Sequence, residues 1–285
     1  MFYLIQLLNA VQYGLLLFLL ASGLTLIFGI MGVINLAHGS FYMVGAYLAY
    51  WLAKITGSFW VAIPLGLVIA LAIGVMLETT LVSRLYKRDH LYQVLLTFGL
   101  ILIFEELRSM FFGDDVHGVA IPAGFNYSLR LTDTLSYPVY RLFVTALCLL
   151  LAGAMYLMIH KTRLGMRIRA GSSNREMAAS LGVNIPLLFA FVFALGTALA
   201  AFAGMLAAPL SSVFPGMGNQ ILIICFVVVV IGGIGSINGA LIASLAIGFA
   251  DTFGKVLAPE YSGIAIYLLM AFILLWRPQG LANKM

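Results

Sequence analysis

Long apolar runs alternate with short polar connections along the whole chain. Nine runs occur, at residues 11–31, 33–53, 59–83, 91–112, 138–160, 186–208, 220–235, 238–257 and 263–276. Most are close to the roughly 20 residues that a helix needs to cross a bilayer, and none shows the period-two alternation of a strand. The pattern therefore predicts an all-α, polytopic transmembrane helical bundle of about eight or nine spans. Two pairs of runs are separated only by glycine-containing joints, so broken or re-entrant helices are expected there.

The composition supports a membrane protein. Of the 285 residues, 63% are hydrophobic and 9% are charged, whereas soluble domains average about 25% charged residues. We expect the net charge of +5 to reflect cytoplasmic loops rather than nucleic-acid binding. Cys148 and Cys225 lie inside apolar runs without ligand spacing, which predicts buried thiols and no metal site. The first run lacks a basic leader and a cleavage site, so we predict a retained span.

Basic residues are concentrated in a few short connections. Residues 84–90 carry three Lys or Arg and residues 161–175 carry five, whereas residues 113–137 carry only Arg130 against three aspartates. By the positive-inside rule, the first two segments and the C-terminal tail face the cytoplasm, and 113–137 faces the opposite side. Nine spans would then place the N-terminus outside, and eight would place it inside.

Small residues recur at a spacing of four within the runs. The positions that we assign to helix packing are Gly66, Ala70, Gly74, Gly196, Ala200 and Gly204. This spacing places the small side chains on one face of each helix and lets neighbouring helices approach closely. It predicts a compact bundle and carries no information about a solute.

The first joint brings polar residues into an apolar region, "MGVINLAHGSFYMVGAY" at 31–47. Asn35 and His38 are three residues apart, so a continuous helix would place them on one face, and Gly39 and Ser40 follow directly. Irregular backbone at membrane depth is tolerated only against protein or a wet cavity. Two interpretations are open: a broken helix that lines a path through the membrane, or an interhelical hydrogen bond that holds the bundle together.

The second joint is "GGIGSIN" at 232–238. Gly233, Gly235 and Asn238 are the candidate path residues here, and the joint is either a re-entrant break beside the path or a tight glycine turn. Residues 235–240 also repeat the pattern Gly-x-Ile-Asn-x-Ala of residues 32–37. The repeat is compatible with the internal repeats of transporters and equally with chance.

Carboxylates inside the runs are few, and they are Glu78, Glu105, Glu106 and Asp251. Basic residues lie near them in sequence, as Lys255 does four positions after Asp251, which favours local pairing or snorkelling over a proton relay. The chain has no phosphate-binding loop, no His/Cys cluster and no catalytic motif that we can identify. We therefore expect no enzymatic activity and no cofactor in this chain. Uphill work would need an ion gradient or a partner that hydrolyses nucleotide.

A short polar stretch at 174–188, "NREMAASLGVNIPLL", predicts a separate small helix. Asn174 is a suitable N-cap, Glu176 suits the positive end of a helix, and Gly182 is a natural stop. Met177 and Leu181 share one face. Because so short a helix is marginal in water, we expect it to dock against something, although a solvated connector is the alternative.

Four segments together carry a family resemblance: "GIMGVINLAHGSFYMVGAY" (29–47), "TRLGMRIRAGSSNREMAASLGVN" (162–184), "VVVVIGGIGSINGALIAS" (227–244) and "RPQGL" (277–281). They occur in order and resemble the bacterial branched-chain amino-acid ABC transporter permease family, most closely its Liv-type H subunits. Two departures are visible. Asn238 stands where many relatives have proline, and 113–137 carries no motif of the family.

The resemblance implies a single permease domain over 1–285, with a cytoplasmic coupling loop at 161–185 and a periplasmic loop at 113–137. It implies ATP-driven import of leucine, isoleucine, valine or a related small amide or amino acid across the bacterial inner membrane, with the C-terminus in the cytoplasm. The implied partners are a second homologous permease, two cytoplasmic ATP-binding subunits that hold ATP and magnesium, and a periplasmic substrate-binding protein. The residues assigned to ATPase coupling are Asn174, Arg175, Glu176, Ala178, Ala179 and Gly182.

Other functions remain open at this point. An ion-driven secondary carrier would transport as a single chain, and an importer of the same family could carry urea or another small organic solute. A membrane enzyme or scaffold would transport nothing.

Overall fold

A computed structural model describes residues 2–86, 88–132 and 135–282 of the chain. The helices are α1 (Phe2–Met31), α2 (His38–Thr56), α3 (Phe59–Thr80), α4 (His90–Phe112), α5 (Val139–Lys161), α6 (Arg163–Ser173), α7 (Arg175–Ser180), α8 (Ile185–Ala207), α9 (Met217–Gly232), α10 (Ile237–Leu257) and α11 (Ser262–Trp276). Short 3-10 helices lie at Val82–Leu85, Ala123–Phe125 and Pro259–Tyr261, and the strands are β1 (Ser128–Thr132) and β2 (Leu135–Pro138). Three charged residues counted above, Lys87, Asp133 and Lys284, lie outside the described residues.

The predicted all-α polytopic bundle is confirmed. Each of the nine apolar runs becomes one helix, namely α1 to α5 and α8 to α11. Within the described residues, six helices are long and apolar enough to cross a membrane: Phe2–Met31, Phe59–Leu85, Val139–Lys161, Ile185–Ala207, Ile237–Leu257 and Pro259–Trp276. The predicted eight or nine spans are therefore approximate. α9 is short, at 16 residues, and the second predicted run is wrong at its start, because residues 33–37 are not helical.

The centre of the bundle is α1, which is buried along most of its length. Gly23 of α1 meets Gly196 of α8, where a Cβ on Gly196 would lie 2.9 Å from the Gly23 carbonyl oxygen. Other assigned packing positions also face neighbours, since Ala70 and Ala200 are buried and Gly74 lies against α8. Small residues at these crossings let backbones come into direct contact.

One end of the bundle, the hairpin end, carries residues 113–132 together with β2. β1 pairs with β2 in antiparallel register, with Leu129 opposite Tyr137. The Tyr137 hydroxyl donates a hydrogen bond to Asn9 Oδ1 of α1 at 3.2 Å, and the His117 ring stacks on Tyr50 with centroids 4.4 Å apart. The segment that was predicted only as a loop therefore has a small ordered sheet tied to the bundle.

The opposite end, the basic end, carries the last turn of α1, the two helices α6 and α7, the α9–α10 joint and the C-terminal tail. The tail contacts the joint: the Leu281 amide donates to the Ile231 carbonyl at 2.8 Å. Because α1 starts at the hairpin end, Phe2 and Leu281 lie at opposite ends of the bundle. This is the arrangement that an odd number of crossings requires.

Candidate translocation path and coupling helix

The first joint is a break that leads back into the bundle. Gly32 adopts a φ of +63° and its amide donates to the Phe28 carbonyl at 2.9 Å, which ends α1. His38, the first residue of α2, donates through Nε2 to the Leu20 carbonyl at 3.0 Å. Leu20 lies eleven residues before Met31, which corresponds to about 16 Å along a helix. α2 therefore begins at depth inside the bundle.

Buried polar atoms without partners occur at this break and in the helix before it. Among the described residues, the amide of Asn35, Nδ1 of His38 and Oγ1 of Thr25 have no hydrogen-bond partner, although all three residues are buried. Most buried polar groups in proteins are hydrogen-bonded. These atoms therefore leave hydrogen-bonding capacity unused in an otherwise apolar region.

The predicted shared helical face of Asn35 and His38 is wrong, because Asn35 precedes α2. A turn joins the two residues instead, with the His38 amide 3.3 Å from the Asn35 carbonyl. Gly39 packs closely against Gly218 of α9, and Ser40 is buried. Features of both earlier interpretations coexist: His38 makes an interhelical hydrogen bond, and Asn35 leaves its amide unpaired.

The second joint is a tight turn at the basic end. Gly233 and Gly235 have φ values of +91° and +79°, and the Ser236 amide donates to the Gly233 carbonyl at 3.1 Å. Asn238 lies in the first turn of α10 and is exposed. The proposed path residues therefore fall into two groups, one at the depth of His38 and the other at the basic end.

The short helix predicted at 174–182 is α7. Asn174 Oδ1 accepts from the Met177 amide at 2.9 Å, and Gly182 ends the segment with a φ of +87°. Ala178 is buried, whereas Met177 is 63% exposed and Leu181 is 79% exposed. α7 and its C-cap residue Leu181 thus present two apolar side chains to the outside of this subunit. Glu176 and Ala179 are also exposed.

Arg175 faces the bundle as well as the loop. Its Nη2 donates to the Met31 carbonyl at 2.7 Å and to the Ile30 carbonyl at 3.3 Å. Its guanidinium lies over the Phe189 ring of α8, 5.2 Å from the centroid. A cation at the last carbonyls of a helix is favourable. The family resemblance predicts that Arg175 contacts the ATPase. In the structure its side chain binds the end of α1, where the break begins.

α6 was not predicted from the sequence. Thr162 Oγ1 accepts from the Gly165 amide at 3.1 Å, and Ile168 and Gly171 are buried while Arg163 and Arg167 are exposed. The signal was present as an N-cap threonine with apolar residues at helical spacing. The arginines of the same stretch indicate a cytoplasmic loop, and the helical spacing of the apolar residues between them was therefore overlooked.

Most of the carboxylates have local partners. Asp251 pairs with Lys255 at 2.6 Å, as predicted. Arg108 contacts Glu105 at 3.4 Å and Asp114 at 2.8 Å, and its hydrogen bond lowers the pKa of the exposed Asp114 carboxyl below the usual value. Glu78 accepts a hydrogen bond from Tyr86. Among the described residues, no three His, Cys, Asp or Glu side chains are grouped so that they could hold a metal ion.

Comparison with known proteins agrees with this architecture. A family model described as "Branched-chain amino acid transport system / permease component" matches residues 6–274. The chain is 30% identical to the high-affinity branched-chain amino acid transport system permease protein BraD of Pseudomonas aeruginosa, over 99% of this chain and 96% of that protein.

Two permease proteins of Escherichia coli K12 are also similar. LivH is 30% identical over 100% of this chain and 96% of its own length, and LivM is 29% identical over 92% of this chain and 67% of its own length. The family model and the full-length relatives lead to one conclusion: the chain belongs to the family of branched-chain amino acid transport system permease components.

Proposed function

We propose that this chain is a permease subunit of an ATP-driven ABC importer for a branched-chain amino acid or a related small amino acid or amide. The observation that carries the proposal is α7. It is a capped helix of six residues that, with its C-cap residue Leu181, presents Met177 and Leu181 outward and is joined through Arg175 to α1. An isolated helix of this length is marginal in water, so an ATPase groove that receives its apolar side chains would stabilise it.

The proposed complex contains four further components. These are a second homologous permease, two ATP-binding subunits that hold ATP and magnesium, and a substrate-binding protein. The similarity of this chain to both LivH and LivM supports pairing with a homologous permease. The excess of Arg at the basic end supports a cytoplasmic location for α6, α7 and the C-terminal tail. The hairpin end would then lie on the periplasmic side of a bacterial inner membrane. The loaded binding protein would bind there.

The proposed mechanism is alternating access. ATPase closure would push α7, and Arg175 would transmit that displacement to the Met31 carbonyl at the end of α1. The break at 32–37 follows directly. A shift there would change the exposure of the unpaired atoms of Asn35 and His38 between the two sides of the membrane.

The direct test is uptake of radiolabelled leucine by proteoliposomes. We expect uptake only when the chain, its partner permease, both ATPases and the binding protein are present with ATP. Uptake by the purified chain alone in an ion gradient would establish a secondary carrier instead. If the complete complex hydrolyses ATP but rejects leucine, a panel of amides and urea identifies the solute class.

Gly182→Val tests the coupling role of α7. A β-branched residue is strained at a φ of +87°, at a cost of about 1–3 kcal/mol, so the end of α7 should be displaced. We expect retained ATPase activity and a fall in leucine uptake per ATP of about fivefold or more. Gly153→Val is the matched control, because nothing lies within 4 Å of a Cβ there. Coupled uptake equal in the two variants would contradict the coupling role.

A further inference from the structure

A polar cavity lies at the hairpin end, on the side of α1 that faces α10. Its volume is about 440 Å³, and its polar lining includes Gln12, Tyr13, Arg141, Asp251 and Lys255. Sites for small molecules typically have volumes of about 300–1,000 Å³ and combine apolar walls with a few placed polar groups. None of these five residues belongs to the break or to α7.

The cavity carries one more positive than negative group. Lys255 Nζ and Asp251 Oδ2 are 2.6 Å apart. Arg141 donates through Nη1 to the neutral Asn9 amide oxygen at 2.8 Å. Within residues 2–86, 88–132 and 135–282, no carboxylate is within salt-bridge distance of Arg141. The guanidinium is therefore held in place with donors left over, and a planar fork of donors suits a carboxylate.

The same cavity has an apolar side. Leu16, Ala207, Leu210 and Val256 line it together with the polar groups. These aliphatic walls can accommodate a short branched side chain, and the burial of such a side chain away from water is favourable. A fixed cation, the carboxylate of Asp251 and an aliphatic wall thus meet in one cavity.

We propose that this cavity binds the zwitterion of an aliphatic α-amino acid, an inference that rests on the proposed function. The solute carboxylate binds Arg141, and its ammonium group binds Asp251. Lys255 moves aside, since its side chain is 62% exposed and flexible. The aliphatic side chain lies against Leu210 and Val256.

The cavity lies next to the break, on its side toward the hairpin end. Leu16 and Tyr42 line it, and they are one helical turn from Leu20 and His38 respectively. Leu20 and His38 are the residues joined by the 3.0 Å hydrogen bond. A solute released at the hairpin end therefore reaches the zwitterion site before it reaches the unpaired atoms at the break. The cavity is thus the first binding site along the path from the hairpin end.

The first test uses the complete importer in proteoliposomes with saturating, leucine-loaded binding protein. Loss of a charged hydrogen bond costs about 1.5–3 kcal/mol, so Arg141→Gln should lower the uptake rate at least about tenfold, and Arg141→Lys should restore part of it. Arg88→Gln is the control: it removes an exposed cation that lies outside this cavity and away from the hairpin end, and it should leave uptake unchanged. Gel filtration confirms that every variant assembles.

The second test needs neither ATP nor a charge change. Ser211 lies on the rim of the cavity and is exposed, so Ser211→Cys should react with a membrane-impermeant maleimide in the assembled complex. The native Cys148 and Cys225 are buried and should contribute little background. Leucine should slow the labelling, whereas isoamylamine, which lacks the carboxylate, and 4-methylpentanoate, which lacks the ammonium group, should not.

The outcomes separate the two proposals. Transport by Arg141→Gln at the wild-type rate, together with no protection of Ser211→Cys by leucine, overturns the zwitterion site while the importer function stands. Protection by leucine without ATP-driven uptake in the wild-type complex rejects the importer function and leaves the site intact. Equal protection by leucine and both analogues also overturns the proposal, because it shows that the charged groups of the solute are not recognised.

Discussion

The two joints that share Gly-x-Ile-Asn-x-Ala fold differently. Each copy of this pattern begins with a glycine at positive φ, +63° for Gly32 and +79° for Gly235. In the second joint, Ser236 Oγ accepts from the Gly239 amide at 3.1 Å, so α10 starts at once. Val33 occupies the equivalent position in the first joint, and its side chain has no acceptor for a helix cap. There the next helix begins only at His38.

The first joint is therefore a buried polar break, whereas the second is a turn at the surface. Asn35 is fully buried and its amide has no partner among the described residues, whereas Asn238 is exposed. The end of α1 nevertheless contacts the second joint, because a Cβ on Gly29 would lie 2.7 Å from the Gly235 Cα. A likeness of six residues thus marks two joints of different depth, and of the two only the second has a side-chain helix cap at its serine.

The largest effect is expected from Gly29→Val, which separates the end of α1 from the second joint. A valine side chain there would meet the backbone of Gly235, and overpacking of this kind costs about 1–3 kcal/mol. We expect little assembled complex and almost no uptake, measured by gel filtration and leucine transport. Gly153→Val, in open space, should behave as wild type. A normally assembled and active Gly29→Val complex would show that the joints do not need this contact.

The next largest effect is expected from Arg175→Met, which removes the donor at the start of the first joint. The hydrogen bonds to the Met31 and Ile30 carbonyls would be lost, at about 1.5–3 kcal/mol for a charged donor. We expect ATPase activity to remain while uptake per ATP falls about tenfold. Arg167→Met, at an exposed position of α6, is the control. Equal losses in both variants would indicate a general need for positive charge in the loop.

A smaller effect is expected from His38→Ala, paired with Asn238→Ala. His38 is buried and bonded to the Leu20 carbonyl, and loss of such a bond costs about 0.5–1.5 kcal/mol. Uptake per assembled complex should fall several-fold for His38→Ala and remain near wild type for Asn238→Ala. Reduced assembly of His38→Ala with normal flux per complex would show that His38 serves packing rather than the path.

The sequence predicts the all-α fold class well, because a membrane helix corresponds to an uninterrupted run of apolar residues. The cap at Asn174 and the stop at Gly182 were likewise local signals, and α7 has both. What the sequence left open depends on contacts between distant residues. The polar partners Arg141 and Asn9 are 132 positions apart, and nothing near either one predicts the cavity that they line.

The break at 32–37 shows the same limit at short range. The glycine and asparagine indicated irregular backbone, but its depth depends on the distant contact between His38 and Leu20. The sequence could not predict where the Arg175 side chain points either, because its hydrogen-bond acceptors are the last carbonyls of α1, 144 and 145 residues away. Local capping rules identify where a helix stops and do not identify what lies beside that end.

The smallest effect is expected from Ser236→Ala, which removes the cap that distinguishes the second joint from the first. Loss of an N-cap costs about 1 kcal/mol, which corresponds to a lowering of the melting temperature by about 2–4 °C. Uptake should stay within about twofold, because the turn is also held by the hydrogen bond of Leu281 to Ile231 and the cap strength is modest. Ser262→Ala, whose hydroxyl donates to the Pro259 carbonyl far from the joint, is the control for loss of a hydroxyl. A collapse of uptake as severe as that of Gly29→Val would mean that the helix start at Ile237 sets the position of both joints, and the cap would then be a determinant of transport rather than of local stability.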